Sequence, residues 1–330
     1  MTPTGGVETA PPALSTAAVV DAPVLAAEPV GAYTRLVLDA PAAAAAARPG
    51  QFAACSTGDS GMLLRRSFSI AAVDAGAGTV TLVVAAAGPG TARIAALRPG
   101  ERLSVVAPLG QPFSLPPEGE GVVLVGGGYG AAPLAWLGRA LRARGSAVDL
   151  VVGAGDARRL LAHDVPTAAS GDADAPVDRL HVTTDDGSAG QRGRVTDALA
   201  PVLAEHGARH VLACGPMVML RAVHEVAARG GAATQLATEE SMACGVGVCM
   251  TCVLPVVGAD GATRMLRACT EGPVFDGRAL RWDAIGAAAP GRPAGVGAQV
   301  PADAVGAPRA APSPPPGGGD AVTTPVAGAR

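Results

Sequence analysis

The sequence has 330 residues, enough for two or three domains, and is 49% hydrophobic but only 2% aromatic, so its core must be built from Val, Leu and Ala. The formal net charge of −3 and the lack of any basic run argue against a nucleic-acid-binding surface. No apolar run reaches the roughly 18–20 residues that a membrane-spanning helix needs, and no secretory signal pattern is present. We therefore expect a cytoplasmic protein with no membrane contact and no nucleic-acid partner.

Both ends of the chain are rich in Pro, Gly and Ala and show no hydrophobic periodicity. We predict disorder for residues 1–15 and 284–330, because such a composition cannot bury enough apolar surface to offset the entropy of ordering. The C-terminal segment could bind a partner or could be a solvated extension, and the sequence leaves both open.

Six short strands are predicted between residues 16 and 118, and their regular spacing favours an antiparallel β-barrel. Gly, Pro or Asp separates them, and Pro49–Gly50 and Pro99–Gly100 are predicted to be tight connections between strands. The predicted strands cover residues 17–24, 34–38, 51–55, 67–71, 79–85 and 103–107.

Two motifs in this region could bind a phosphate-containing ligand. The segment RRSFS, residues 65–69, places arginine, a flat ring and hydroxyls on one strand, and the guanidinium fork suits a pyrophosphate. The segment GPGT, residues 88–91, precedes an apolar stretch and predicts a loop leading into a helix N-terminus, where backbone amides favour phosphate. Each motif alone is weak, since such segments are more often an ordinary strand and an ordinary turn.

A doubly wound α/β domain is predicted for residues 119–236, because strands and helices alternate there. A strand at 122–125 runs into GGGYG, residues 126–130, and then into an apolar helix with Pro133 in its first turn. This is a G-x-G-x-x-A variant of the dinucleotide fingerprint, in which glycines allow a sharp turn and close approach of the ligand. Further strands are predicted at 147–152, 180–184 and 210–214, and helices at 158–163, 195–205 and 217–229.

Two features of this domain bear on a nicotinamide ligand. The segment CGP, residues 214–216, follows a strand end, so Cys214 could face a nicotinamide or could be a buried small thiol. Arg158 and Arg159 follow the second strand, where they could meet a 2′-phosphate or could be solvated charges. The sequence therefore leaves NAD and NADP unresolved.

Four of the six cysteines lie between residues 237 and 283, at Cys244, Cys249, Cys252 and Cys269. The spacing C-x4-C-x2-C-x16-C begins like the loop of plant-type [2Fe–2S] sites, and Gly245 and Gly247 would let backbone amides turn toward the cluster. Structural zinc usually takes two C-x2-C pairs, and only one is present. Disulfides would suit a small secreted domain. The pattern thus favours iron–sulfur over zinc or disulfides.

The order of these regions resembles the ferredoxin–NADP reductase superfamily. Within it, the chain is similar to the electron-transfer subunits of class 1B, NAD-dependent dihydroorotate dehydrogenase over residues 17–280. The matching motifs are LLRRSFSIA, LRPGERLSVVAPLGQPF, VLVGGGYGAAPL, TDDGSAGQRGRVTDAL, ACGPMVMLRAV, and EESMACGVGVCMTCV with ACTEGPVF, the last pair being the most specific.

The resemblance implies an FAD-binding barrel at 16–118, an NAD-binding α/β domain at 119–236 and a [2Fe–2S] domain at 237–283 with the four cysteines as ligands. It implies that FAD is held by Arg66, Ser67, Phe68, Ser69, Val83, Val84, Ala85, Gly90 and Thr91. It implies that NAD meets Gly126, Gly127, Gly128, Gly130, Cys214, Gly215 and Pro216.

The resemblance also implies a function. Such a subunit has no catalytic residue of its own and takes electrons from an FMN-containing catalytic subunit that oxidises dihydroorotate. The electrons would pass through the cluster and FAD to NAD+, in pyrimidine biosynthesis, within a heterotetramer of two of each subunit. The chain departs from the family pattern at Ser67, Val84 and Ala85, where the family carries Pro, Tyr and Arg. The lost arginine removes a cation from the FAD site.

Two alternatives remain open at this stage. The same motifs would serve a subunit of another ferredoxin:NAD(P) oxidoreductase or a sulfhydrogenase-type complex. A regulatory protein that kept the fold without its cofactors is a further alternative, favoured only by Ala85.

Overall fold

The computed structural model describes residues 17–58, 61–162, 165–172 and 174–285. Residues 1–15, and all of 284–330 except its first two residues, lie outside this part of the chain. Ala284 and Ile285, the first residues of the predicted tail, are each 8% exposed and pack at the end of the fold.

The N-terminal region is a closed antiparallel barrel of six strands in the order β1-β2-β5-β4-β3-β6, as the sequence predicted. Its strands alternate in burial; in β5, Val80, Leu82 and Val84 point into the barrel and the residues between them are half-buried. The elements are β1 (Ala18–Val30), β2 (Tyr33–Asp39), α1 (Pro41–Ala46), β3 (Phe52–Cys55), β4 (Arg66–Asp74), β5 (Thr79–Val84), α2 (Pro89–Ala95) and β6 (Arg102–Leu109).

The two Pro-Gly pairs do not join strand to strand, so that prediction was wrong. Pro49–Gly50 follows the short helix α1, and Pro99–Gly100 follows α2. Helix α1 was missed because its alanine run has no polar face that would reveal a helical period. Gly50 and Gly100 have φ of +99° and +91°, so both pairs are still tight turns.

The second region is a mostly parallel seven-stranded sheet in the order β10-β9-β8-β7-β11-β12-β15. Strands β7 and β8 are almost wholly buried because helices cover both faces. The elements are β7 (Val122–Gly127), α3 (Leu134–Arg142), β8 (Val148–Ala154), β9 (Arg179–Thr184), β10 (Gln191–Arg192), α4 (Val195–His206), β11 (His210–Cys214), α5 (Met217–Arg229) and β12 (Ala233–Ala237).

The helix predicted at 158–163 is not formed. A single 3-10 turn spans Ala157–Arg159, and the Asp156 carboxylate accepts hydrogen bonds from the amides of Arg158 and Arg159. The chain is extended by Leu160, and residue 163 lies outside the described residues. The segment therefore forms a single turn in place of the predicted helix.

The C-terminal segment is built into the sheet rather than appended to it. It forms a hairpin of β13 (Val253–Val257) and β14 (Thr263–Arg267), and then β15 (Val274–Asp276), which pairs antiparallel with β12. Just before β15, the Gln111 amide donates to Gly272 O at 2.6 Å and its side chain to Thr270 O at 2.9 Å. These bonds fasten the cysteine segment to the end of the barrel.

Hydrogen bonds at the β1–β2 turn also connect the barrel to the α/β domain. The Tyr33 hydroxyl donates to Arg159 O at 2.8 Å, and the Ala32 amide donates to Arg158 O at 2.7 Å. Trp136 of α3 packs against the barrel core. Among the described residues, no helix has the length and apolar character needed to cross a membrane.

Arg65 has a structural role that can be tested. Its guanidinium donates to Ala54 O at 3.2 Å, Ser104 O at 2.8 Å and Ser104 Oγ at 3.1 Å, which ties β3 to β6. We expect Arg65→Gln to lower the free energy of unfolding by about 1–3 kcal/mol, measured by chemical denaturation. Exposed Arg98, replaced by Gln, should change it by no more than about 0.5 kcal/mol. Equal losses in both variants would contradict this role.

Candidate functional site

A cleft lies where the barrel, the parallel sheet and the C-terminal segment meet. It holds about 740 Å³ of empty space, its open mouth included. The predicted site residues that line it are Ser67, Phe68, Ser69, Val83, Gly130, Cys214 and Gly215. Residues 126–130 and 214–216, which are far apart in sequence, are brought to one edge because parallel strands β7 and β11 are neighbours.

Ser69 and Cys214 connect the two walls of the cleft by a side-chain hydrogen bond. Burial and then the nearby Glu239 carboxylate raise the pKa of the Cys214 thiol, the Ser69 bond lowers it, and the net result is a pKa of about 12. Cys214 is therefore a neutral thiol near pH 7. It acts as a small, rigid wall rather than as a nucleophile.

Tyr129 and Glu239 stand at the same cleft and were not predicted as site residues. The Tyr129 hydroxyl donates to a Glu239 carboxylate oxygen, and the ring lies edge-on to Tyr33 with ring centres 6.2 Å apart. Burial and then this carboxylate raise the pKa of Tyr129. Glu239 was missed because β12, the strand that it follows, was missed; a polar residue beyond a strand end was the available signal.

Arg66 and the GPGT loop meet at one side of the cleft. The Arg66 guanidinium lies so close over Gly90 that a Cβ there would be 2.6 Å from Arg66 Nε. The Thr91 hydroxyl caps its own helix, accepting from the Gly88 amide at 3.0 Å and donating to Gly88 O at 3.1 Å. A phosphate could thus meet the Arg66 fork beside backbone amides, with Thr91 holding the loop in shape.

Several predicted site residues lie elsewhere. Val84 is fully buried in the barrel core and Ala85 packs against the core of the α/β sheet, so neither side chain lines the cleft. The alternation of β5 turns Val83 outward and Val84 inward, and a contact of residues 84 and 85 with FAD stays a prediction.

The glycines of residues 126–130, at the edge of the cleft, allow close packing of the backbone. At Gly126 a Cβ would lie 2.7 Å from Ala131 Cα, and at Gly130 one would lie 2.5 Å from Cys214 O. Gly127 and Gly128 sit in the same turn, and Pro216 caps α5 outside the cleft. Their absent side chains allow the β7 turn to approach the end of β11.

The carboxyl ends of β8 and β9 form a polar edge of the sheet. The Arg159 guanidinium lies 3.7 Å from the Asp156 carboxylate, and its side chain is 65% exposed. Hydrogen bonds from Ser188 lower the pKa of Asp186 nearby. Arginine at this edge is therefore accompanied by carboxylates that disfavour an extra phosphate.

The four cysteines gather as two pairs. Cys244 lies within hydrogen-bonding reach of Cys249, and Cys252 lies within reach of Cys269. Cys249 is exposed and Cys244 half-buried, whereas Cys252 and Cys269 are buried. Hydrogen bonds with Thr251 and then with Cys244 lower the pKa of Cys249 to about 6, and the bond with Cys269 lowers that of Cys252 to about 7.

The loop that carries the cysteines points backbone amides at their sulfurs. The Val246 amide donates to Cys244 Sγ at 3.4 Å, and the Gly247 amide donates to Cys269 Sγ at 3.2 Å. Gly247 has φ of +82°, and a Cβ there would lie 2.8 Å from Thr270 Cγ2. Glycine is thus required by both the turn and the close approach, as the sequence suggested.

This arrangement fits a binuclear cluster. A [2Fe–2S] cluster takes two thiolates on each of two irons. The pairs Cys244–Cys249 and Cys252–Cys269 supply such a set.

The cysteine loop packs directly against the cleft. At Gly245 a Cβ would lie 3.4 Å from Ala54 Cβ and 3.6 Å from Phe52 Cε2. Phe52 is 3% exposed and also lines the cleft. The Phe52 ring therefore faces both the thiol-bearing loop and the space for a ligand.

Two family models match the chain in agreement with this geometry. Residues 239–281 match the iron–sulfur cluster binding domain of dihydroorotate dehydrogenase B. Residues 124–225 match the oxidoreductase NAD-binding domain.

Whole-chain relatives extend the similarity. The chain is 33% identical to a dihydroorotate dehydrogenase B (NAD(+)) electron transfer subunit from Desulforamulus reducens, over 80% of this chain and 99% of that one. It is 38% identical to the subunit of the same name from Bacillus caldolyticus, over 69% of this chain and 84% of that one. The structure of an NADH-dependent reduced ferredoxin–NADP oxidoreductase is similar with a TM-score of 0.69 and 28% identity, over 81% of this chain and 91% of that one.

The pairing of the thiols predicts the metal content. Protein purified without oxygen should contain two irons and two acid-labile sulfides per chain, with no stoichiometric zinc, by elemental and sulfide analysis. Cys249→Ser should lose most of the iron because it removes one ligand of a pair. Cys55→Ser, at a buried thiol in the barrel, should keep it. One zinc per chain would contradict the binuclear interpretation.

Proposed function

The chain belongs to the family of dihydroorotate dehydrogenase B (NAD+) electron-transfer subunits, and on that premise we propose how its residues pass electrons from a [2Fe–2S] cluster through FAD to NAD+. It is an oxidoreductase subunit, and FAD, NAD and an iron–sulfur cluster are its cofactors. The main functional expectation from the sequence is thus confirmed, and the alternatives are not.

One observation carries the proposal: the paired cysteines and the ligand cleft share Phe52 as a common wall. When bound, the cluster carries electrons singly and FAD converts two of them into a hydride for NAD+. Phe52 and the Gly245 backbone keep water out of the space between the two sites and set their separation. Short, fixed separation is what the chain contributes to electron transfer here.

The flavin would lie along β4. Ser67, Phe68, Ser69 and Val83 would contact its ring system from the barrel side of the cleft. Arg66 would bind the pyrophosphate, because its fork is already held over Gly90. Since Ala85 supplies no cation, Arg66 would be the principal charge on this ligand.

The nicotinamide would enter between Tyr129 and Cys214. Gly130 and Gly215 leave room for the ring, and the neutral Cys214 thiol with its Ser69 bond would fix the plane against which it rests. The Glu239 carboxylate would favour the cationic oxidised ring over the neutral reduced ring. The acidic edge at Asp156 is consistent with NAD rather than NADP.

The family name implies a catalytic partner subunit, and we propose that it carries FMN and assembles as two of each subunit. Cys249 is the exposed ligand candidate, with exposed Val248 and Met250 beside it, so electrons would enter at this face. All six cysteines are unpaired, which suits a reducing cytoplasm.

The decisive experiment purifies the tagged full-length chain anaerobically from its own host. We expect an FMN-containing partner, a two-plus-two mass by native mass spectrometry, and dihydroorotate-dependent reduction of NAD+. Cys249→Ser should lose the cluster and this coupled activity but retain FAD. Coupling at the wild-type rate in that variant, or a partner inert toward dihydroorotate, would contradict the proposal.

The FAD contact of Arg66 gives a second test. Arg66→Gln should weaken FAD binding about 10–100-fold, as expected for losing charge-assisted hydrogen bonds worth roughly 1.5–3 kcal/mol. Gly90→Ala should weaken it less, since a Cβ displaces only the flexible end of Arg66. Flavin titration of the apoprotein measures both, with Arg98→Gln as the control. Unchanged affinity in Arg66→Gln would place the pyrophosphate elsewhere.

A further inference from the structure

An ion pair lies directly behind the cysteine loop. Arg267 ends β14, and its Nη1 donates to Gly247 O at 3.1 Å. The amide of the same Gly247 donates to Cys269 Sγ at 3.2 Å. The guanidinium is therefore one residue away, through hydrogen bonds, from a candidate ligand sulfur, and it braces the loop that carries the other three.

Glu271 completes the pair on the other side of Cys269. Its Oε2 accepts from Arg267 Nε at 3.0 Å, from the Arg267 amide at 2.8 Å and from Thr270 Oγ1 at 2.9 Å, and its Oε1 accepts from Arg267 Nη2. The two side chains are 35% and 22% exposed. These multiple bonds hold both charges in one geometry, unlike an ordinary solvated surface pair.

The bonds of the two side chains set where their charges lie. Arg267 is bonded to Gly247, whose amide donates to Cys269 Sγ, and Glu271 follows that cysteine by two residues. Arginine stays charged at any working pH, so the cation behind the cysteine loop is permanent.

We propose that Arg267 is a positioning residue that raises the reduction potential of the cluster, and that Glu271 is the opposing charge that limits the rise. The inference rests on the proposed cluster at this site. One electron entering the cluster makes an already anionic tetrathiolate site more negative by one charge. A fixed cation nearby stabilises that state and a fixed anion destabilises it, most strongly where water is excluded.

This tuning serves a defined step of the proposed pathway. The cluster must accept each electron from the donor and release it again to the flavin, so its potential has to lie between theirs. The four thiolates alone favour the oxidised cluster, and Arg267 offsets them. Arg267 and Glu271 carry opposite charges and are bonded to each other, so their effects on the cluster partly cancel. The net effect depends on how much nearer one charge lies to the sulfurs than the other.

The same hairpin offers a matched control. Arg264 and Asp260 form an ion pair with the same sequence spacing, 2.6 Å apart, with side chains 44% and 56% exposed. Arg264 donates to the Asp260 carboxylate and to Ala262 O, on the turn of the hairpin. This pair is solvated and does not contact the cysteine loop, so its charges should be screened from the cluster.

The test is a potentiometric titration of the full-length chain in complex with its catalytic partner, followed by the EPR signal of the reduced cluster. We expect Arg267→Gln to shift the midpoint potential downward, Glu271→Gln to shift it upward and Arg264→Gln to leave it unchanged. Arg267→Lys keeps the charge but not the forked bonds, so its potential should stay nearer the wild type than that of Arg267→Gln.

These outcomes separate an electrostatic role of Arg267 from a purely structural one. Shifts of the same sign in Arg267→Gln and Glu271→Gln, or an equal shift in Arg264→Gln, would overturn the inference. If Arg267→Gln fails to hold its cluster, the potentials of Arg267→Lys and Glu271→Gln test the inference instead. A potential equal to that of the wild type in Glu271→Gln would overturn the inference. A wild-type protein with no EPR-active cluster would instead overturn the proposed function on which the inference rests.

Discussion

The packing of the cysteine loop against Phe52 is the contact on which the rest of the structure depends. The loop must present two thiol pairs to one cluster and also lie beside a flavin cleft formed by another part of the chain. Gly245 and Gly247 have φ of +73° and +82°, which side chains disfavour, and a Cβ at Gly247 would lie 2.8 Å from Thr270 Cγ2. Close backbone approach therefore limits which residues can stand in this loop, as much as the thiols do.

The same constraint explains why three parts of the chain are fastened at one place. β15 extends the parallel sheet, Gln111 bonds to the residues that follow Cys269, and the β1–β2 turn bonds to the loop after β8. Each fastening holds a wall of the cleft. Distance errors of a few tenths of an ångström between these walls would separate the bound groups, so the chain fixes them with backbone bonds rather than with side chains alone.

Arginines around this junction differ in their roles. Arg65 and Arg66 are adjacent in sequence, yet Arg65 ties two strands together while Arg66 lies free of the barrel core over the loop at Gly90. At the cysteine loop, Arg267 donates to the Gly247 carbonyl, while Arg264, in an ion pair of the same spacing, is more exposed to water. Burial and bonding, not residue type, separate the structural, ligand-binding and solvated arginines.

The sequence by itself determined the barrel, the alternating strands and helices, and the identity of the four cysteines. These follow from local periodicity and from spacing within one loop, which neighbouring residues largely decide. It also marked Arg66, Ser69 and Cys214, because they stand in short motifs at strand ends. It did not separate Val83 from Val84 as cleft residues, since both belong to one apolar run and only the strand's phase in the barrel tells them apart.

Only the tertiary structure decided the pairing of the thiols, the shared wall at Phe52 and the roles of Tyr129, Glu239 and Arg267. Each of these depends on which strands become neighbours, and residues more than one hundred positions apart are then brought into contact. The helix expected at 158–163 failed for the same reason: the barrel turn donates hydrogen bonds to the Arg158 and Arg159 carbonyls that a longer helix would have used. Long-range hydrogen bonding therefore overrode a local pattern.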